Sequence, residues 1–509
     1  MYSGRKSKLS IELAKAIGGE IINADSMQVY RGLDVVTNKI PEHEREGIPH
    51  HLMDVVDWEQ EYSVIDFTRD ALAKIADMHS RNVHPILVGG THYYIQSLLW
   101  KNMLIADANV DNKQPHPSLS EDDRSLIEPF LEDIDAGQSA MYDARMYEVL
   151  RELDPVMAER WHPNDARKVR RSLEVFYTTG RRHSDWLEEQ RQSNLQDESA
   201  PTIRFPSCVF WVYAEPSVLG RRLDDRVDLM IKEGMFDELR NMMRLWQSSN
   251  TKDTQPDYTR GIFQTIGFKE FNDYLVSLSS EHLVNAERLV DEGIQAMKIA
   301  TRQYARRQTH WIRNRLGPRV FDERKRGGRF GFYALDATDL SQWDATASQT
   351  AIGIAKQFLD WTSDLPAASP LLQQLIPEIN PQASLSVTEW KKFTCDVCLD
   401  ANGQFRVLNG PSEWEAHLKS RIHRKRVDYI KNDLDNDGGS DVGGEELGLD
   451  VMEDGTQYMN TLLAHESVSE QELFAELALH GGVMFVSGEA CLFSEPEYFR
   501  AIASTPDIV

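Results

Sequence analysis

EIINAD (20–25) and PILVGGT (85–91) decide the fold. Each is a short apolar run closing on turn-forming residues, an Asp in the first and paired glycines in the second. Ahead of EIINAD, SKLSIELAKAI (7–17) sets Leu9, Ile11, Leu13, Ala14 and Ile17 at helical spacing, and Gly18-Gly19 then ends the helix. Ahead of PILVGGT, SVIDFTRDALAKIADMHS (63–80) reads as a second helix with Ser63 as its N-cap. Strands alternating with helices predict an open parallel α/β sheet. Ligands of such a sheet gather outside the carboxyl ends of its strands, where Asp25 and Gly89-Gly90-Thr91 fall.

At 509 residues the chain exceeds what one core can fill, so two or three units are expected. The first part of the α/β core takes 1–104. Residues 105–206 read as a helical insertion, with SLIEPFLEDI, ARMYEVLREL and DARKVRRSLEVF and no strand before CVFWVYAEP. The core resumes over 207–330, and 331–390 forms a connecting region whose 362–386 stretch is a Pro/Ser/Ala-rich linker. A small Cys/His unit follows at 391–431. The remainder, 432–509, is an acidic tail expected to be largely disordered, with one helix capped by Ser469.

Composition excludes several classes. Hydrophobic content of 41% with 27% charged residues is ordinary for a globular chain, and no run approaches the roughly 18 apolar residues of a membrane span. Four cysteines do not form a disulfide framework, and MYSGRKSKLS carries no apolar signal core. These features point to cytoplasm, mitochondrion or nucleus. The net charge of −25 is unevenly spread: residues 298–329 hold eleven Lys or Arg against two acids, and 428–454 hold ten acids against one Lys. That segregation suits an RNA binder with an acidic tail, although a solvated basic helix face would look the same.

Three constellations carry chemistry. Gly4-Arg5-Lys6-Ser7 opens an amphipathic helix and resembles the end of a P-loop, GxxxxGK[ST], in which amides, the Lys and the hydroxyl hold phosphate and Mg²⁺. Arg5 stands where the Gly before the Lys belongs, and a bare RKSK taken alone is far more often a solvated charge run. The second is Asp25-Ser26-Met27-Gln28 at a strand end. A carboxylate there can serve as general base on a nucleophile aimed at a neighbouring diphosphate, or simply cap a helix. The third is Cys395-x2-Cys398, eighteen residues, then His417-x5-His423. Two thiolates and two imidazoles make a closed tetrahedral site for structural Zn²⁺, with Trp414 and Leu418 as a miniature core.

DSMQVYRGLDVVTNK (25–39), HHLMDVVD (50–57), PILVGGTHYYIQSLLW (85–100), NDARKVRRSLEVF (164–176), RLDDRVDLMIKEGMFDELR (222–240), IGFKEF (266–271) and TRQYARRQTHWIRNR (301–315) resemble, in order, the signature blocks of the tRNA dimethylallyltransferases. The resemblance covers residues 4–330. It implies a P-loop α/β core with a helical insertion, and transfer of a dimethylallyl group from dimethylallyl diphosphate to N6 of adenosine 37 in the anticodon stem-loop of tRNA. By the same resemblance, Asp25 is the base. Ser26, Met27, Gln28 and Thr91 lie against the target nucleotide, and Arg226 faces the diphosphate. Gly4, Lys6 and Ser7 hold diphosphate and Mg²⁺, and Arg167, Lys168, Val169, Arg170 and Arg171 contact tRNA. The Cys/His unit is similar to the zinc finger of eukaryotic members, which grips tRNA through phosphates. The target base must be extruded, so Tyr30, Tyr93 and Tyr94 are candidate stacking faces, although a tyrosine of this kind is more often core packing. A monomer is expected. Two other readings are an adenylate (cytokinin-type) isopentenyltransferase and a non-catalytic RNA-binding remnant.

One departure from the family pattern stands at the start. Only five residues precede Lys6, too few for the strand that leads into a P-loop and lies centrally in its sheet. The neighbouring strand edges are therefore expected to be unpaired, and the polypeptide unstable and slow. The natural protein is expected to carry about ten or more further residues that supply the glycine and the strand.

Overall fold

The computed structural model describes residues 5–101, 115–132, 144–196, 202–249, 256–258, 260–278, 286–360, 364–376, 391–399, 405–436 and 491–493. Two compact units are formed, one from 1–105, 190–379 and 478–509 and the other from 106–189 and 380–477. The strands are β1 (Gly19–Asn23), β2 (His50–His51), β3 (His84–Val88), β4 (Ser207–Tyr213), β5 (Phe330–Asp336), β6 (Lys392–Leu399), β7 (Phe405–Asn409) and β8 (Cys491–Phe493).

The first unit carries a six-stranded sheet in the order β2-β1-β3-β8-β4-β5. The pairs β1/β2, β1/β3 and β4/β5 are parallel, as the alternation of strands and helices predicts. Successive side chains point to opposite faces. Ile22, Leu87, Val209 and Trp211 enter one core, with Phe67, Ala71 and Ile75 of helix α2 (Val64–Ser80) and Ile95 and Leu98 of helix α3 (His92–Leu99). Ile21, Ile86, Cys208, Phe210 and Val212 enter the other, against Leu9, Leu13 and Ala14 of helix α1 (Arg5–Ile17). Both faces are thus covered by helices, which is why the strands read as continuous apolar runs. Gly18 ends α1 at φ 70°. Ser63 starts α2 through a capping box, its hydroxyl accepting from Asp66 N while the Asp66 carboxylate accepts from Ser63 N at 2.9 Å.

The sheet corrects the expectation of an unpaired centre. The place between β3 and β4 is taken by β8, from the segment read as a tail. It runs antiparallel to both neighbours, pairing Leu492 with Ile86 and with Cys208. The rest of that tail beyond residue 436, including Ser469, lies outside the described residues, as does Gly4.

A further core in the same unit joins Val29, Leu33 and Val36 to helices Pro216–Lys232, Met235–Ser249, Asn272–Ser277 and Ala286–Trp311. The second unit packs helices Glu121–Glu132, Ala144–Leu153, Pro155–Arg160 and Ala166–Thr179 around Ile127, Leu150, Met157, Val169 and Leu173. The β6/β7 hairpin belongs to this unit: His162 Nε2 meets Val407 O at 2.9 Å, and Lys392 Nζ donates to Tyr147 Oη and Ala158 O. No helix among the described residues is long and apolar enough to cross a membrane.

Where the chain leaves the sheet unit after Trp100 and re-enters it at Thr202, one buried carboxylate holds both ends. Glu323 accepts from Trp100 Nε1 at 3.1 Å, from Thr202 N at 2.8 Å and from the Thr202 hydroxyl. Trp100 and Ile203 also form an antiparallel bridge. Glu323→Ala should therefore leave an indole N–H and an amide without partners and lower unfolding free energy by about 1–3 kcal/mol, with Glu323→Gln milder. Chemical denaturation of the three proteins checks this, and equal midpoints would refute it.

Candidate active site

The carboxyl ends of β1 and β3 are laced together. Ala24 N donates to Val88 O at 2.7 Å and Thr91 N donates to Ala24 O at 3.2 Å. The two strands approach so closely that a Cβ on Gly89 would lie 2.1 Å from Ala24 O. This brings together two residues far apart in sequence: Ser26 N donates to Thr91 Oγ1 at 3.0 Å, and Thr91 Oγ1 donates to Ser26 Oγ at 3.2 Å. Asp25 sits at the same junction, one carboxylate oxygen accepting from the amide of Met27 at 3.0 Å.

Helix Ala286–Trp311 closes the other side with residues that periodicity alone did not single out. Gln308 Nε2 donates to Gly90 O at 3.1 Å, and the Tyr304 hydroxyl donates to the same carbonyl at 3.3 Å. Burial, reinforced by the charge of Asp25, pushes the Tyr304 phenol well above its usual range, so it stays a neutral donor. Tyr304 and Gln308 lie four residues apart, on one face of the helix. That spacing is the signal by which they could have been picked out of the basic run.

Lys6 enters from α1. Its ammonium lies 3.4 Å from the position a Gly90 Cβ would take, beside Gln308. The same ammonium and complete burial hold the His92 imidazole well below its usual range, burial being the larger effect. Ser7 stands in the first turn of the same thirteen-residue helix, whose amide end favours anions. On helix Pro216–Lys232, Arg222 donates to Ala337 O and Thr338 O at 2.7 and 2.6 Å, and burial followed by the nearby charge of Arg5 lowers its pKa. Arg226, one turn further on, pairs with Glu233 at 3.3 Å, and burial lowers its pKa also. Arg222 and Arg226 share one face of their helix, and Arg5 places the start of α1 near it. Gln28 is half-buried, its amide nitrogen donating to Thr37 O at 2.9 Å and Asn38 O at 3.3 Å.

Among the candidate stacking residues, Tyr30 and Tyr94 belong to the core, at 2% and 6% exposure, and Tyr94 stacks on Phe67 with ring centroids 4.5 Å apart. Tyr93 is exposed.

In the second unit the basic segment divides by helical face. Val169 and Arg170 are buried, Arg170 reaching Glu174 at 3.0 Å. Lys168 and Arg171 face outward, paired with Asp165 and Glu174. The side chain of Arg167 lies outside the described residues. Cys395, Cys398, His417 and His423 converge, one ligand atom of each lying within 4.8 Å of all the others. Both sulfurs stand 3.5 and 3.6 Å from His423 Nδ1. A tetrahedral centre with bonds of about 2.3 Å to sulfur and about 2.05 Å to nitrogen demands roughly 3.6 Å between them. His417 Nε2 is buried with no hydrogen-bond partner among the described atoms, as a metal ligand's would be. Phe393 stacks on Trp414 at 5.5 Å beneath the cluster.

A parallel α/β sheet with a carboxylate at one strand end, and a lysine-headed helix converging on the same glycine corner, defines a group-transfer enzyme for a phosphorylated substrate. The family model for IPP transferase matches residues 28–315. The tRNA dimethylallyltransferase of Saccharomyces cerevisiae is 37% identical over 83% of this chain and 89% of its own length. The Homo sapiens tRNA dimethylallyltransferase is 35% identical over 87% and 88% respectively. A solved structure of a eukaryotic dimethylallyltransferase acting on tRNA superposes with a TM-score of 0.66 at 36% identity, covering 85% of this chain and 95% of that one. The chain belongs to the IPP transferase family.

The tightest point of the site makes its own prediction. Gly89→Ala forces a methyl onto the Ala24 carbonyl, a backbone atom that cannot swing aside. Thermal unfolding should fall by the equivalent of about 1–3 kcal/mol and transfer activity should drop with it. Wild-type stability and turnover in that variant would show the approach to be looser than described.

Proposed function

We propose that the chain transfers the dimethylallyl group of dimethylallyl diphosphate to N6 of adenosine 37 in tRNA, beside the anticodon. The observation that carries the reading is the convergence of Asp25, Thr91 and Lys6 on one glycine corner at the end of β1 and β3. As N6 attacks C1 of the dimethylallyl group, its proton passes to the Asp25 carboxylate. The C1–O bond breaks and the diphosphate leaves toward Lys6, Ser7 and Arg226. Fixed cations and helix amides aimed at that developing charge stabilise it without having to reorient. A Mg²⁺ ion fits one protein hydroxyl, that of Ser7, together with phosphate oxygens, and would supply further neutralisation of the leaving group. Ser26, Met27 and Gln28 line the approach of the adenine, and Tyr304, held neutral, keeps the glycine corner in place.

Asp25→Asn preserves size and removes the base, so kcat should fall about 10²- to 10⁴-fold while tRNA affinity changes little. Single-turnover transfer with saturating tRNA measures this, and unchanged turnover would remove Asp25 from the mechanism.

The Cys2His2 cluster fits structural Zn²⁺, held by Cys395, Cys398, His417 and His423 with no position open for water. The exposed basic residues of the following helix, Arg421, Arg424, Lys425 and Arg426, would then meet tRNA phosphates. Freshly purified protein should contain one zinc per chain. Deleting residues 391–431 should raise KM for tRNA more than it lowers kcat, because binding energy shared by ground and transition states appears in KM. Metal-free protein, or an unchanged KM, would contradict the corresponding half.

A further inference from the structure

Lys39 closes the loop that begins at Asp25, and its chemistry is unusual for a loop lysine. Its side chain is 3% exposed. The ammonium donates to Tyr30 O and Gly32 O at 2.7 Å each, to Asp34 Oδ1 at 2.9 Å, and to Asp54 Oδ1. Removing an ammonium from water is tolerated only where charged and carbonyl oxygens replace its hydration, and four oxygens do so here.

The loop requires such a tie. Gly32, Leu33 and Asn38 have φ of 76°, 54° and 56°, and the facing segment holds Leu52 and Asp54 at 57° and 58°. Four of these five are not glycine, and backbone of this kind persists only where its surroundings over-determine it. Three contacts do so. Gln28 bonds Thr37 O and Asn38 O, Glu238 accepts from Val35 N and Val36 N at 2.9 and 3.0 Å, and Lys39 grips both segments at once. Asp25 is anchored upstream by the pairing of Ala24 with β3. Downstream, the carbonyls of Tyr30 and Gly32 under the Lys39 ammonium hold the chain, with Val56 O receiving the amide of Arg31 at 2.8 Å.

We propose that Lys39 is the positioning residue of the transfer reaction: it touches no substrate, and it holds the 25–38 loop in the one shape that aims Asp25 and Gln28 at the adenine. The inference rests on the reading of Asp25 as the base.

Lys39→Met keeps the stem and removes the charge. At a temperature where the variants remain folded, its kcat on saturating tRNA should fall roughly 10- to 100-fold, the penalty of a base displaced by about an ångström. Glu323→Ala serves as the control for general destabilisation and should stay within about twofold of wild type in kcat. Hydrogen exchange supplies a readout independent of activity: the amides of Arg31, Val35 and Val36 should exchange at least about tenfold faster in Lys39→Met, with those of Ile86 and Leu87 unchanged. In an Asp25→Asn background the Lys39 substitution should add no further loss, since two residues acting as one unit are not additive. Wild-type kcat in Lys39→Met, an equal loss in Glu323→Ala, or a fully additive double variant would each overturn the proposal. Full activity in Asp25→Asn alone would instead overturn the assignment of the base, while the exchange data would still report whether Lys39 holds the loop.

Discussion

The contact between the Ala24 carbonyl and Gly89 is the constraint on which the site depends. Two parallel strands normally keep their end loops far enough apart for side chains to intervene. Here the absence of a Cβ lets the backbones meet, and hydrogen bonds on either side lock the register. Several of the candidate site residues are placed relative to that point. Asp25 and Ser26 leave from one strand, Gly90 and Thr91 from the other, Lys6 reaches the same corner from α1 packed on the sheet, and Tyr304 and Gln308 reach it from helix Ala286–Trp311. A looser junction would let the two loops drift independently.

The electrostatics of the site divide the labour between groups that keep one charge and groups that stay neutral. Tyr304 and Gln308 are donors whose protonation does not change, so they can fix the Gly90 carbonyl next to a carboxylate without competing for its proton. Lys6 is the cation at this corner, 3.4 Å from the position of a Gly90 Cβ. A chain with net charge −25 can host this because its positive residues are concentrated locally, and exposed charges beyond roughly 8–10 Å are largely screened by salt.

Much of this was legible in the sequence, for a physical reason. Strands buried on both faces must be apolar throughout, so EIINAD and PILVGGT announce themselves, and Ser63 with Asp66 marks a helix start by local hydrogen bonding. Cys395, Cys398, His417 and His423 could be grouped because metal ligands have characteristic spacings. What stayed hidden depends on packing between distant segments. Nothing in the tail identifies Cys491–Phe493 as a sheet strand, since three residues have no readable period. That Val169 and Arg170 face inward while Lys168 faces outward is settled by which side of the helix meets Leu150 and Ile127. Tyr30 and Tyr94 could stack on a base, although core packing is the commoner fate of such residues, and burial shows that they took it. Nothing in the sequence around Lys39 distinguishes it from a surface lysine; only the four oxygens gathered from two segments do.

The second unit is discontinuous in the chain, and this has a consequence for its synthesis. Tyr147, Ala158 and His162 emerge from the ribosome long before Lys392 and Val407, their partners on the β6/β7 hairpin. Residues 190–379 of the other unit must be made in between. At about 5–20 residues per second that interval of roughly 190 residues lasts some 10–40 seconds. For that time the segment around Tyr147, Ala158 and His162 leaves open the patch that the hairpin will later cover. The nascent protein passes through a stage in which β1 to β5 have all been made while the hairpin of the second unit and the central strand β8 of the first are both still to come, which is when a chaperone holding that patch would have most to do.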